Sequence, residues 1–187
     1  DNKTTVATSL ILVGCILAKL FMVKYETTTY EVSKDFSDIS ISTDTADIIF
    51  ALSDDGTCKV ECYEEENAKH SVTVENDVLI VKTNKSWYDY IGYSFGWSKI
   101  TIYLPKEEYS ELSINESTGT VEIPKDCLFE NVNISTSTGD VNFCASVSKL
   151  VKIKTSTGNI CVENISAGAL DLSVTTGKVT VSGVTCQ

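Results

Sequence analysis

The chain of 187 residues contains no arginine: all 15 of its basic residues are lysine, and the net charge is −11 at pH 7. Bidentate contacts to phosphate and guanine depend on the guanidinium fork, and nucleic-acid binders carry a basic face. No nucleic acid is therefore expected as a partner. Histidine occurs once, at His70, with no Ser or Asp spacing beside it that suggests a triad. No G-x-x-x-x-G-K, G-x-G-x-x-G or H-E-x-x-H is present, so the common phosphate, dinucleotide and zinc-protease signatures are missing. The reading is a protein that is not an enzyme, with no catalytic residues and no cofactor.

Cysteine is too sparse for a disulfide scaffold, with seven in the chain and no C-x-x-C. Cys58 and Cys62 lie in an extended stretch, about 13 Å apart, and cannot bridge each other. The cysteines are read as small buried apolar groups. Cys58, Cys62 and His70 would be the set to hold a metal, but the fourth ligand is missing and the spacing is wrong for zinc. No metal is expected. The run Glu64-Glu65-Glu66 reads as a solvated charge cluster, and His70 as a surface residue beside a strand.

What the sequence does have is an echo. Ser117-Thr118-Gly119, Ser137-Thr138-Gly139, Ser156-Thr157-Gly158 and Thr175-Thr176-Gly177 recur with glycines 20, 19 and 19 residues apart. Each copy has apolar residues seven and five places before the glycine, and two and four places after it. For Gly139 these are Val132, Ile134, Val141 and Phe143. With Ala46 in the glycine place, Ile39, Ile41, Ile48 and Phe50 make a degenerate first copy. Alternation by two within each half is a strand signal with one face buried. A fixed period of this size means stacked supersecondary units. Gly119, Gly139, Gly158 and Gly177 are then the bends between two strands, where a side chain has no room. The Ser/Thr pairs before them are expected to form a polar ladder along that edge. Thr120, Asp140, Asn159 and Lys178 follow the glycines, so the repeat is not the calcium-binding solenoid type.

Residues 57–106 lack the echo but still read as strands, with Asn76-Asp77 a tight turn and Pro105 ending the last strand. They hold an aromatic loop. Trp87, Tyr88, Tyr90, Tyr93, Phe95 and Trp97 are six of the sixteen aromatics of the chain. Such a loop either contacts a ligand or folds back to cover one end or side of the stack. At the other end of the chain, residues 6–23 are almost wholly apolar, 18 residues near the lower limit for a membrane-spanning helix. Residues 1–24 are read as a hydrophobic helix serving as anchor or signal segment, with the rest exported. Leu12-Val13-Gly14-Cys15 has the form of a lipoprotein box, yet the run stays apolar beyond Cys15.

The motifs Ser117-Thr-Gly-Thr-Val121, Ser137-Thr-Gly-Asp-Val141 and Ser156-Thr-Gly-Asn-Ile160 resemble the S-T-G-D-[VI] repeats of a bacterial adhesin-type family of unknown function. The loose copy at Thr175–Val179 and the segment Ile100–Pro105 fit as well. The resemblance spans roughly residues 30–186. It implies an extracytoplasmic β-solenoid at the cell surface with an unknown envelope or host-surface ligand, protein or glycan. Some relatives belong to envelope stress systems, which gives a second role through a membrane partner. The expected architecture is all-β: a short parallel β-solenoid over 25–187, with 39–56 as degenerate first copy, 57–106 as non-repeating strands and 107–187 as four regular coils.

Overall fold

The computed structural model describes residues 24–66, 68–84 and 97–186. The helix expected at 6–23 lies outside them, as do Trp87, Tyr88, Tyr90, Tyr93 and Phe95. The described residues contain strands and no helix. These residues form an all-β, mostly parallel, solenoid-like stack of two sheets.

Its hub is one long strand, β2 (Asp38–Leu52), with β1 (Tyr25–Val32) before it. After it come β3 (Cys58–Glu65), β4 (His70–Glu75), β5 (Val78–Thr83) and β6 (Ser98–Leu104). Four long–short pairs then follow. They are β7 (Glu108–Thr118) with β8 (Val121–Ile123), β9 (Leu128–Thr138) with β10 (Val141–Phe143), β11 (Ser146–Thr157) with β12 (Ile160–Glu163), and β13 (Ser166–Thr176) with β14 (Val179–Ser182). The two-residue β15 (Thr185–Cys186) is the last strand among the described residues.

Each pair is one coil, and the coils stack in register. Ile41 faces Ile114, Ile114 faces Ile134, Ile134 faces Ile153, and Ile153 faces Leu172 across parallel ladders. On the short strands Ile48, Val121, Val141, Ile160 and Val179 form the matching column. These are the apolar positions that the echo marks, and the column members from Ile41 to Ile160 are buried. A further column was not marked by the echo: Tyr109, Phe129, Val147 and Ala167, all buried, taper along the stack. Tyr109 and Phe129 meet at 6.1 Å between ring centroids, and Phe50 meets Phe129 edge-on at 6.3 Å.

Residues 57–106 contain a coil of their own. Strand β5 runs parallel to the first half of β2, with Leu79 opposite Ile39 and Val81 opposite Ile41. Strand β6 runs parallel to its second half, with Ile100 opposite Ile48 and Ile102 opposite Phe50. The pair β5/β6 therefore stacks on β2 from the side away from β7/β8. The echo is hidden because the three residues between Ser42 and Ala46 in β2 correspond to the whole stretch between Lys82 and Ser98. Strands β3 and β1 then extend one sheet antiparallel, and β4 extends the other through a hairpin at Asn76-Asp77. Both turn residues have positive φ, 49° and 67°, as a hairpin turn of this length requires.

The bends explain the glycines. A Cβ built on Gly139 would lie 1.7 Å from the Gly119 carbonyl oxygen, and its φ is 146°. Neither clash nor dihedral allows another residue. Backbone N–H groups cross between coils at this edge: Gly119 donates to Thr138 O at 3.0 Å, Gly139 to Thr157 O at 2.8 Å and Gly158 to Thr176 O at 2.9 Å. Cys58, Cys62, Cys127, Cys144 and Cys161 are free. Cys58, Cys62 and Cys127 are buried, in keeping with an apolar packing role, and burial pushes the Cys58 and Cys127 thiols up to about 12.

The close approach at Gly139 generates a test. Gly139→Ala should lower unfolding stability in a urea titration by more than about 3 kcal/mol, because backbone must move on both coils. Gly56→Ala, at φ 74° with open space around it, should cost only about 1 kcal/mol.

Candidate functional site

The outer surface of β1, β3 and β6 is aromatic. Trp97, at the start of β6, is 51% exposed, and its indole Nε1 donates to Asp47 Oδ2 at 2.7 Å. The Asp47 carboxylate also accepts the Thr120 N–H through Oδ1 at 2.9 Å. The indole is thus fixed to the same edge that carries the glycine bends. Tyr25 and Tyr63 stack beside it with centroids 5.3 Å apart, and Tyr63 is 47% exposed. The Tyr25 hydroxyl donates to Glu65 Oε1 at 3.2 Å and also meets the Trp97 backbone. Further along the same sheet face Lys59 sits 4.6 Å over the Tyr103 ring, and the Tyr103 hydroxyl donates to Glu61 Oε2 at 3.2 Å. Burial and then the Glu61 carboxylate push the Tyr103 phenol upward.

This arrangement follows from strand alternation. Residues 59, 61, 63 and 65 on β3 and 99, 101 and 103 on β6 face away from the core, and the antiparallel register sets Lys59 against Tyr103 and Tyr63 against Lys99. Of the six aromatics proposed from the sequence, only Trp97 is described, and it belongs to an exposed cluster. Tyr25, Tyr63 and Tyr103 were missed. Their outward phase was legible only once β1, β3 and β6 were known to be neighbours.

A second feature lies beneath the bends. The Ser/Thr pairs before the glycines are largely exposed, and the buried polar residue is the one before each pair. Thr43, Glu116, Thr136 and Thr155 form a column inside the stack, ending on Val174. The Thr155 hydroxyl lies 3.3 Å from the Gly139 carbonyl oxygen, whereas those of Thr43 and Thr136 have no partner. Glu116 is 1% exposed and neither carboxylate oxygen has a hydrogen-bond partner of ordinary geometry. Burial, reinforced by the nearby Asp47 charge and little offset by the Ala46 backbone, pushes its pKa up to about 8. On the outside of the same edge the residue after each glycine joins neighbouring coils. Asp140 Oδ1 accepts the Asn159 N–H at 2.7 Å, and Asn159 Oδ1 accepts the Lys178 N–H at 3.1 Å.

Two expectations are corrected in the N-terminal cap. His70 is 3% exposed and Glu64 is wholly buried. The acidic run is solvated only beyond Glu64, because strand phase turns residue 64 inward with Cys62 and Val60. His70 then closes over it: its Nδ1 and its backbone N–H both lie 2.7 Å from Glu64 Oε2.

The model of the Toastrack DUF4097 family matches residues 36–187. The chain belongs to this family. Among solved structures, a "putative cell adhesion protein" from Clostridium sporogenes is similar with a TM-score of 0.58 at 8% identity, over 85% of this chain and 99% of that one. A "putative adhesin" from Bacteroides fragilis is 17% identical with a TM-score of 0.43, over 85% of this chain and 96% of that one. The first likeness shows a shared fold. No curated protein matches the chain in sequence. The Toastrack assignment agrees with the coil stack, whose repeating registers begin in β2 and run to the C-terminal strand.

The buried Glu116 makes stability depend on pH. In the unfolded chain it ionises near 4.5, whereas in the folded chain it keeps its proton to about 8. The folded state therefore holds the extra proton between these values, and stability falls as pH rises through that window. Glu116→Thr, which continues the threonine column, should remove this slope and stabilise the protein at pH 8.5 by about 3 kcal/mol. Urea midpoints at pH 4.5 and 8.5 measure both effects.

Proposed function

We propose that this Toastrack protein is a non-enzymatic binding module displayed outside the cytoplasm, tethered through residues 6–23, with its aromatic face as the contact surface. The observation that carries this reading is the Trp97–Tyr25–Tyr63 cluster at the foot of the 85–96 segment, two of its rings about half exposed. Rigid aromatic rings supply contact area at small entropic cost, and Trp and Tyr dominate binding hot spots. The carboxylates Asp47, Glu61 and Glu65 border the rings and offer acceptors to hydroxyl groups. Ring faces with hydroxyl acceptors fit a glycan. A net charge of −11 disfavours an anionic one, so the substrate class is a neutral envelope or host-surface polysaccharide. The name of the similar Clostridium sporogenes structure, a "putative cell adhesion protein", supports the same direction. The alternative role, envelope stress signalling through a membrane partner, has no specific feature here that favours it.

Co-sedimentation of the full chain with insoluble neutral polysaccharides tests the reading. The double variant Trp97→Ala/Tyr63→Ala removes two half-exposed rings and one surface hydrogen bond, so it should stay folded with its urea midpoint only slightly lowered. Its binding should weaken by about 30-fold or more, the scale of hot-spot truncation. Binding that is unchanged in the variant removes this surface from the account.

A further inference from the structure

The N-terminal cap contains a cluster that the binding surface does not use. One ligating atom each from Cys62, Glu64 and His70 lies within 4.8 Å of the other two, and all three side chains are buried. Cys62 and Glu64 are alternate residues on β3 and point inward together; His70 opens β4 and folds over them. Cys58, the partner that sequence spacing suggests, is not in this group, and Glu64 takes its place. The remaining carboxylate oxygen, Glu64 Oε1, is buried without a hydrogen-bond partner. A carboxylate held in an apolar core beside a thiol, with one oxygen unpaired, is costly unless something neutralises it.

We propose that Cys62, Glu64 and His70 form a divalent transition-metal site, with zinc the best-suited ion, that locks the N-terminal cap. The chemistry balances. A thiolate and a carboxylate carry two negative charges, an imidazole none, and a divalent cation brings the site to neutrality inside a dry core. Coordination displaces the thiol proton of Cys62 to solvent, and His70 ligates through Nδ1 as a neutral imidazole with its N–H on Nε2. Sulfur, nitrogen and oxygen donors together suit borderline-soft zinc, with bonds of about 2.0–2.3 Å. Tetrahedral donors then stand about 3.3–3.8 Å apart. The 2.7 Å contact of Nδ1 with Oε2 has to open by about 0.6 Å, a small rotation, to admit the ion. Three protein donors leave one position for water or a small ligand.

The surroundings hold these donors in place. The His70 backbone N–H donates to Glu64 Oε2 at 2.7 Å, and the His70 carbonyl accepts the Tyr30 hydroxyl at 2.9 Å. The site thereby joins β3, in one sheet, to β4, in the other, with β1 pinned alongside. Such outer partners orient ligands and are part of a metal site's affinity.

The test uses the full chain stripped with chelator and titrated with Co²⁺ by absorbance, then with Zn²⁺ by calorimetry. The expected result is one ion per chain, a sulfur-to-cobalt charge-transfer band, and release of the Cys62 thiol proton on binding. Zn²⁺ should raise the unfolding midpoint. Cys62→Ala should abolish the band and weaken binding at least about 100-fold, more than loss of an outer partner would. Glu64→Gln, close in shape, should weaken binding as well if Cys62→Ala fails to fold. Cys161→Ala, at a distant thiol, should leave the band in place. A folded wild-type chain that binds neither ion overturns the proposal and makes the cluster a buried Glu–His pair only. Binding that survives in both Cys62→Ala and Glu64→Gln overturns it too.

Discussion

The contact on which the stack depends is backbone against backbone at the glycine bends. The Gly119 carbonyl oxygen would stand 1.7 Å from a Cβ at Gly139, and the Gly139 carbonyl 2.0 Å from one at Gly158. Coils can approach this closely only without side chains at the corner. That approach sets the ladder spacing for both sheets, so the apolar columns on either side fall into register. It also forces an inward-pointing residue just before each bend. Small Thr side chains serve there at positions 43, 136 and 155, and Glu116 is the exception, held close to the Gly119 corner and to Ala46. The Asp47, Asp140 and Asn159 side chains close the same edge from outside by accepting backbone N–H groups of the next coil.

The two ends of the stack are finished differently. At the N-terminal end β1, β3 and β4 run antiparallel and cover the first coil, which removes two open parallel edges. The Cys62–Glu64–His70 cluster lies inside this cover. At the C-terminal end β15 pairs only with the start of β13. Val179 and Val181 are 36% and 46% exposed, although their counterparts one coil earlier, Ile160 and Val162, are wholly buried. The aromatic face lies at the covered end, on the antiparallel strands β1, β3 and β6.

The repeat was legible because stacking demands the same residue type at the same place in each coil. The four apolar positions and the glycine marked five coils, the degenerate one at Ile39–Phe50 included. Coil β5/β6 escaped notice because its bend is long, so Leu79 and Val81 are far in sequence from Ile100 and Ile102. Asn76-Asp77 was read correctly because φ > 0 at two successive positions has its own residue preference. Burial of Glu64 was not legible, since two more glutamates follow it and only strand phase separates it from them. Glu116 sat in plain view beside the echo. Its inward phase follows from Leu112 and Ile114, but an acid there runs against the pattern of every other coil. The neighbours of Trp97 depended on antiparallel pairings that no local signal announces.

Residue-resolved amide hydrogen exchange at the bends tests the stacking account most directly. The Gly119, Gly139 and Gly158 amides donate across coils, so they should exchange only with global unfolding, as slowly as core-strand amides. Rapid exchange at these glycines, at the rate of the exposed Gly56 turn, would contradict it.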